Sequence, residues 1–174
     1  VKDVASSVRR ADDVSATALL PGRKSDGHKG TYGHVAIVGG FLGKEGAGIL
    51  AALGALHGAA GLVTWIGQDS LSSVERPPEI MATIFESDGI EARATTLVVG
   101  PGLGTSELSL KALQAALASK KPCVLDADAL NLIASGTPLP PGDLVLTPHP
   151  AEAARLLGCS TDEILGDRLG SARR

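Results

Sequence analysis

The sequence predicts a layered α/β domain, a mostly parallel sheet with helices on both faces. Three observations predict it. Short apolar runs recur along the chain (Val35–Val38, Leu62–Ile66, Leu97–Val99, Cys123–Leu125 and Leu144–Leu146), helical patterns separate most of them, and the last three lead into loops built on glycine, proline or aspartate. Runs of this length, apolar on both faces, suit strands buried in a parallel sheet, and helices supply the crossovers that parallel strands require.

Residues 1–27 read as a lead-in: a weak amphipathic segment, then Leu20-Pro21-Gly22-Arg23 and the polar turn Lys24-Ser25-Asp26-Gly27. The organised domain is residues 28–174. Val35–Val38 is a buried strand, and the run Gly39-Gly40-Phe41-Leu42-Gly43-Lys44-Glu45-Gly46 is too glycine-rich to be anything but a loop. A helix is expected from Ala47 to Ala60, where Ala47, Ala51, Ala55 and Ala59 recur at i+4 beside Gly54 and Gly58 and leave a smooth stripe for close packing. Leu62–Ile66 is a strand, Pro77-Pro78 bars helix, and Ile80–Phe85 is a further strand. Strand Leu97–Val99, helix Glu107–Ala118, strand Cys123–Leu125, short helix Ala129–Ala134, strand Leu144–Leu146 and helix Ala151–Leu157 complete the alternation, with a last helix from Asp162 to Arg174. The chain starts at Val1 without an initiator Met and stops inside that helix, so a longer gene product, or trimming, is expected.

Composition narrows the function. A net charge of −3 with no dense Lys/Arg stripe argues against nucleic acid as a partner. No apolar run approaches the roughly 20 residues that span a bilayer, and the charged start is not a signal peptide, so a soluble cytoplasmic protein is expected. Cys123 and Cys159 form no C-x-x-C pair and read as a buried small hydrophobe and an ordinary thiol.

The loops carry the candidate chemistry, because ligands of open α/β sheets bind at the carboxyl ends of the strands. In His28-Lys29-Gly30-Thr31-Tyr32-Gly33-His34, Lys29 could meet a phosphate, or the segment is a plain glycine turn. Gly46-Ala47-Gly48-Ile49-Leu50-Ala51 fits G-x-G-x-x-A, with Asp69 at the distance of a ribose-binding acid, but the fingerprint should follow its strand at once and here Gly39–Glu45 intervene. Gly100-Pro101-Gly102-Leu103-Gly104-Thr105 offers amides and a helix dipole as an anion seat, with Thr105 or Ser106 as N-cap. Asp126 at a strand end could hold a sugar hydroxyl or Mg²⁺, Asp128 stands where an N-cap belongs, and Asn131 follows in the first helical turn. In Thr147-Pro148-His149-Pro150, two prolines fix a histidine that either reaches a ligand or serves structure, and Glu152 follows in the first turn of the helix.

Taken together, His28–His34, Gly46-Ala47-Gly48, Gly100–Gly104, Leu125–Asn131 and Leu146–Glu152 resemble, in order, the motifs of the ADP/ATP-dependent NAD(P)H-hydrate dehydratases, a family of ribokinase-like fold. The match covers residues 28–158, and the lead-in resembles the linker before this domain in members that carry an epimerase domain upstream. The resemblance implies repair of hydrated NADH or NADPH: phosphorylation of the added hydroxyl by ADP or ATP with Mg²⁺, then loss of phosphate. It implies that Ala47, Gly102, Gly104 and His149 contact the hydrated cofactor, that Asp126 and Asn131 line the phosphoryl-transfer site, and that Lys29 and Glu152 serve the nucleotide. Family members also have a Lys-Gly segment and a Gly-Thr-Gly-Asp loop bearing the catalytic base, and neither follows within residues 1–174; Ala151 stands where Gly is common. The segment alone is therefore expected to be inactive and to leave its last strand as an open edge, covered by a second copy or by a C-terminal segment. A vitamin-alcohol kinase of the same superfamily and a non-catalytic nucleotide-binding remnant are the alternatives.

Overall fold

A computed structural model describes residue 22 and residues 25–68, 75–86 and 90–174. The amphipathic lead-in, the linker-like residues Asp12 to Pro21 and the acid Asp69 lie outside the described residues. The strands are β1 (His34–Val38), β2 (Leu62–Gly67), β3 (Ile80–Ile84), β4 (Thr96–Val99), β5 (Cys123–Leu125) and β6 (Leu144–Leu146). They form one sheet in the order β3-β2-β1-β4-β5-β6, and every pairing is parallel. His34 stands opposite Leu62, and Val35 opposite Thr96.

The helices are α1 (Glu45–His57), α2 (Glu107–Ala118), α3 (Asp128–Ala134), α4 (Pro150–Leu157), α5 (Thr161–Gly166) and α6 (Arg168–Ala172). Alternate residues of each strand reach opposite faces. On one face Ile37, Val63, Trp65 and Ile80 pack with Ala52 and other α1 residues; on the other, Ala36, Val38, Leu97, Val99, Cys123 and Leu125 pack with α2, α3 and Leu156 of α4. Each large side chain buried in this way contributes about 1.5–3 kcal/mol. Cys123 belongs to this core, where burial pushes its thiol pKa up to about 12 and keeps it protonated. Among the described residues, no helix is long and apolar enough to cross a membrane.

Three local expectations are corrected. The expected helix from Asp162 to Arg174 is two helices, because the chain breaks at Asp167, whose Oδ1 accepts the Gly170 N–H at 2.8 Å and starts α6 afresh. Helix α1 begins at Glu45 rather than Ala47 and ends at His57. Its buried residues are Gly48 and Ala52; of the expected row, Ala51 and Ala55 pack against the core while Gly54, Gly58 and Ala59 are exposed. Among the described residues β6 lies at one edge of the sheet, and Val145 at its centre is 57% exposed.

The glycine at position 48 is required by an indole. A β-carbon there would run into Trp65 Nε1, which is buried and donates to the Gly39 carbonyl at 2.7 Å. Ala in place of Gly favours a helix interior by about 1 kcal/mol, while overpacking a core costs about 1–3 kcal/mol. Gly48→Ala is therefore expected to lower the thermal midpoint and to red-shift the emission of Trp65, the only tryptophan. An unchanged midpoint and emission would contradict this packing.

Candidate functional site at the strand ends

The parallel ladders run one residue beyond each strand, and this sets the loops in a row. The N–H of Gly39 donates to Ile66 O at 3.3 Å, that of Gly100 to Val38 O at 3.1 Å, that of Asp126 to Val99 O at 3.0 Å and that of Thr147 to Leu125 O at 3.1 Å. The first residues after β1, β4, β5 and β6 thus share one rim, spaced about 4.8 Å from strand to strand.

Between β1 and β4 the chain changes face: β1 continues into α1 on one side and β4 into α2 on the other. Strand order reverses at this place, the switch point above whose carboxyl ends open α/β sheets carry their ligand crevice. Backbone hydrogen bonds join the two loops that flank it, from Gly40 N–H to Pro101 O at 2.8 Å and from Phe41 N–H to Gly102 O at 2.9 Å. Such contact needs glycine. A β-carbon on Gly39 would strike the Pro101 carbonyl, and one on Gly102, whose φ is +62°, would stand 2.8 Å from Lys44 O and 2.9 Å from the Ala47 β-carbon. Ala47, in the first turn of α1, therefore lies against Gly102.

The two aspartates of the β5 loop are separated by Ala127, a non-glycine residue at φ +49° and ψ −118°. Strain of this kind costs on the order of 1–3 kcal/mol and persists where surrounding bonds fix the chain. Asp128 is not the N-cap the sequence suggested; Ala127 occupies that position and Asp128 is the first helical residue. Its carboxylate reaches across the rim instead, where Oδ2 accepts the Gly104 N–H at 2.7 Å and pairs with Lys44 Nζ at 3.0 Å, and Oδ1 accepts from Asn131 Nδ2 at 3.4 Å. Burial opposes the Asp128 charge, but the Gly104 amide and Lys44 ammonium outweigh it and hold the carboxyl below its ordinary value. Asp126 differs: its carboxylate has no hydrogen-bond partner among the described residues and remains open to a ligand at the rim.

Asn131 links the rim to the next helix, its Oδ1 accepting from Arg155 Nη1 of α4 at 2.6 Å. At the start of α4, His149 Nδ1 accepts the Ala151 N–H at 3.2 Å, Glu152 Oε2 accepts the His149 N–H at 2.9 Å, and His149 Nε2 stands 3.1 Å from Glu152 Oε1. An imidazole whose Nδ1 accepts carries its proton on Nε2, so it donates to Glu152. Glu152 is buried and His149 is largely exposed. Both are engaged in a capping box, with Pro150 at the first helical position.

Ala47, Gly102, Gly104, Asp126 and Asn131 are thus gathered around the loops of β1, β4 and β5. His149 and Glu152 stand further along the rim, beyond β6. Lys29 does not join them. It starts a 3-10 turn, Lys29–Tyr32, before β1, and its carbonyl abuts Gly61, which precedes β2; this is the amino end of the sheet, roughly 16 Å away for a five-residue strand. In the anion seat, Leu103 N–H is bonded to Gly100 O and Gly104 N–H to Asp128, which leaves Gly102 N–H without an acceptor among the described residues. Sequence reasoning missed Lys44, although a lone lysine in a glycine loop was a signal, and Arg155, for which no signal existed. A cavity of about 630 Å³ lies away from these glycines, lined by Ile133, Leu146, Pro148, Leu156, Ile164 and Arg168 among others.

A family model described as NAD(P)H-hydrate dehydratase matches residues 35–174. The chain belongs to the NAD(P)H-hydrate dehydratase family. It is 44% identical over 156 residues to a bifunctional NAD(P)H-hydrate repair enzyme of Coxiella burnetii, covering 86% of this chain and 32% of that protein. It is 42% identical over 167 residues to the ADP-dependent (S)-NAD(P)H-hydrate dehydratase of Neisseria meningitidis, covering 90% and 56%. The fold matches the ADP/ATP-dependent NAD(P)H-hydrate dehydratase of Bacillus subtilis co-crystallized with ATP/Mg²⁺, with a TM-score of 0.77 and 28% identity over 90% of this chain and 58% of that one. The chain therefore spans 32% to 58% of the length of these family members.

The capping box makes a separable claim about His149. His149→Ala should cost about 1 kcal/mol of stability through the lost cap, and His149→Asn, which can also cap, should restore most of it. Denaturant titration measures both; equal stability of the two variants would contradict the cap.

Proposed function

We propose that the protein containing this chain dehydrates hydrated NADH or NADPH. A phosphoryl group passes from ADP or ATP to the hydroxyl that hydration added, the hydroxyl proton going to a base; loss of phosphate and a proton then restores the dihydronicotinamide. The observation that carries this reading is the row of loops at one strand-end rim, in which the Gly102 amide and the Asp126 carboxylate stand open to a ligand while their neighbours are bonded within the protein. An amide suits the anionic dinucleotide, and an open carboxylate suits a hydroxyl or a cation that accompanies phosphate. Ala47 and Gly104 complete the acceptor wall, and Asn131 orders its far side. His149 and Glu152, through the α4 capping box, shape the outer end, where the exposed imidazole can still meet the cofactor.

Mg²⁺ fits this donor set in a limited way. Among the described residues no group of three or more His, Cys, Asp or Glu could hold a metal ion, so no protein cage for one is formed there. Magnesium in nucleotide sites commonly rests on one or two carboxylates plus phosphate oxygens, which leaves Asp126 as the residue to hold it. Bound there, it would neutralise charge on the phosphates. Lys29, at the opposite end of the sheet, is proposed for the nucleotide only if another part of the protein or a second copy brings that nucleotide to it. A cytoplasmic location goes with a substrate drawn from the pyridine nucleotide pool, and an upstream epimerase domain goes with the bifunctional relatives.

Incubating the intact protein with hydrated NADH, Mg²⁺ and ADP or ATP should restore dihydronicotinamide absorbance, and residues 1–174 alone should not. No turnover by the intact protein would overturn the reading, and a phosphorylated product that persists would point to a kinase.

A further inference from the structure

Of the three partners of the Asp128 carboxylate only Asn131 lies in the helix it begins. Its recorded partners apart from Asn131 are Gly104, 24 residues earlier, and Lys44, 84 residues earlier. Both are in loops that flank the β1/β4 crevice. One oxygen, Oδ2, takes the Gly104 amide at 2.7 Å and the Lys44 ammonium at 3.0 Å, each a charge-assisted bond of the stronger kind. The ion pair is partly shielded, with Asp128 20% exposed and Lys44 52%. Ala127 keeps a left-handed φ directly before Asp128, which is the cost of sending one carboxylate inward while Asp126 stays at the rim. Lys44 is also bound at its backbone, accepting from Ala47 N–H at 3.0 Å and donating to Phe41 O at 2.8 Å, so the clasp grips the loop where it turns into α1.

We propose that Asp128 is a positioning residue for the dehydration: through Gly104 and Lys44 it fixes the two glycine loops as one unit and holds the Lys44 ammonium at the mouth of the crevice, ready for a phosphate of the dinucleotide. The proposal rests on the function above. The loops already share two backbone hydrogen bonds, at Pro101 and Gly102, and among the described residues Asp128 adds the bond that reaches Gly104 itself. Glycine is the residue least able to hold a conformation unaided. A negative charge beside a phosphate site would repel the ligand, and its pairing with Lys44 removes most of that repulsion.

The test uses the intact protein and the variants Asp128→Asn, Asp128→Ala, Lys44→Met and Asp128→Ala/Lys44→Met, with Arg93→Ala at the amino end of the sheet as control. Hydrogen exchange at Gly104 should accelerate about tenfold or more in both Asp128 variants and stay unchanged in the control. With hydrated NADH and ADP or ATP, kcat should fall about tenfold or more in the Asp128 variants while KM changes severalfold less, the pattern of lost orientation. Lys44→Met should slow turnover less than Asp128→Ala, and the double variant should lose no more than Asp128→Ala alone, because the two side chains act as one pair. Unchanged Gly104 exchange, an effect confined to KM, or additive losses would overturn the proposal. If the wild-type protein shows no turnover, the dehydratase reading falls, while Gly104 exchange across the same variants still decides whether the clasp exists.

Discussion

Everything at the rim depends on the close approach of two backbones where the strand order reverses. Gly40 and Phe41 donate to Pro101 and Gly102, and side chains at Gly39 or Gly102 would force the loops apart. That approach follows from topology. Strand β1 feeds a helix on one face and β4 feeds a helix on the other, so the two loops meet at the switch point of the sheet before their helices part to opposite faces. Trp65, buried beneath Gly48 and bonded to Gly39 O, supports one wall from below. The other wall rests on Ser109, whose buried hydroxyl donates to Leu103 O at 2.7 Å and ties the second glycine loop to α2.

The electrostatics divide labour between two neighbouring carboxylates. Asp128 is drawn into the protein, charged and neutralised by Lys44 and the Gly104 amide. Asp126 stays half-buried at the rim without such partners among the described residues. On the proposed function this asymmetry keeps one carboxylate for a cation or a hydroxyl while the other is neutralised within the protein. The strained Ala127 separates the two roles within three residues.

Most of the fold was legible in the sequence. Apolar runs such as Val35–Val38 and Cys123–Leu125 are continuous because parallel strands bury both faces, and Gly100–Gly104 advertises its turn. The order 3-2-1-4-5-6 was not legible, because nothing local says on which side of β1 the strand after Phe85 will land. The break at Asp167 was hidden by a helical pattern that runs through it. Of the site, Ala47, Gly102, Gly104, Asp126 and Asn131 come together as the motif loops suggested, and Asp128 was misread because an aspartate ahead of an apolar segment is so often a cap. Its true partners lie in two other loops, and only the folded sheet brings them near. Lys29 was read as a possible phosphate contact from its glycine-rich setting, and because it precedes a strand rather than following one, a parallel sheet puts it at the far end from the rim.

The central claim is that a hydrated pyridine nucleotide binds above the carboxyl ends of β1 and β4. A crystal structure of the intact protein with hydrated NADH tests it most directly. The cofactor is expected between the Gly39–Lys44 and Gly100–Gly104 loops, with Gly102 N–H bonded to it and Asp126 facing its added hydroxyl. Density for the cofactor at the amino end beside Lys29, or in the cavity beneath α4, with the crevice empty, would contradict the account.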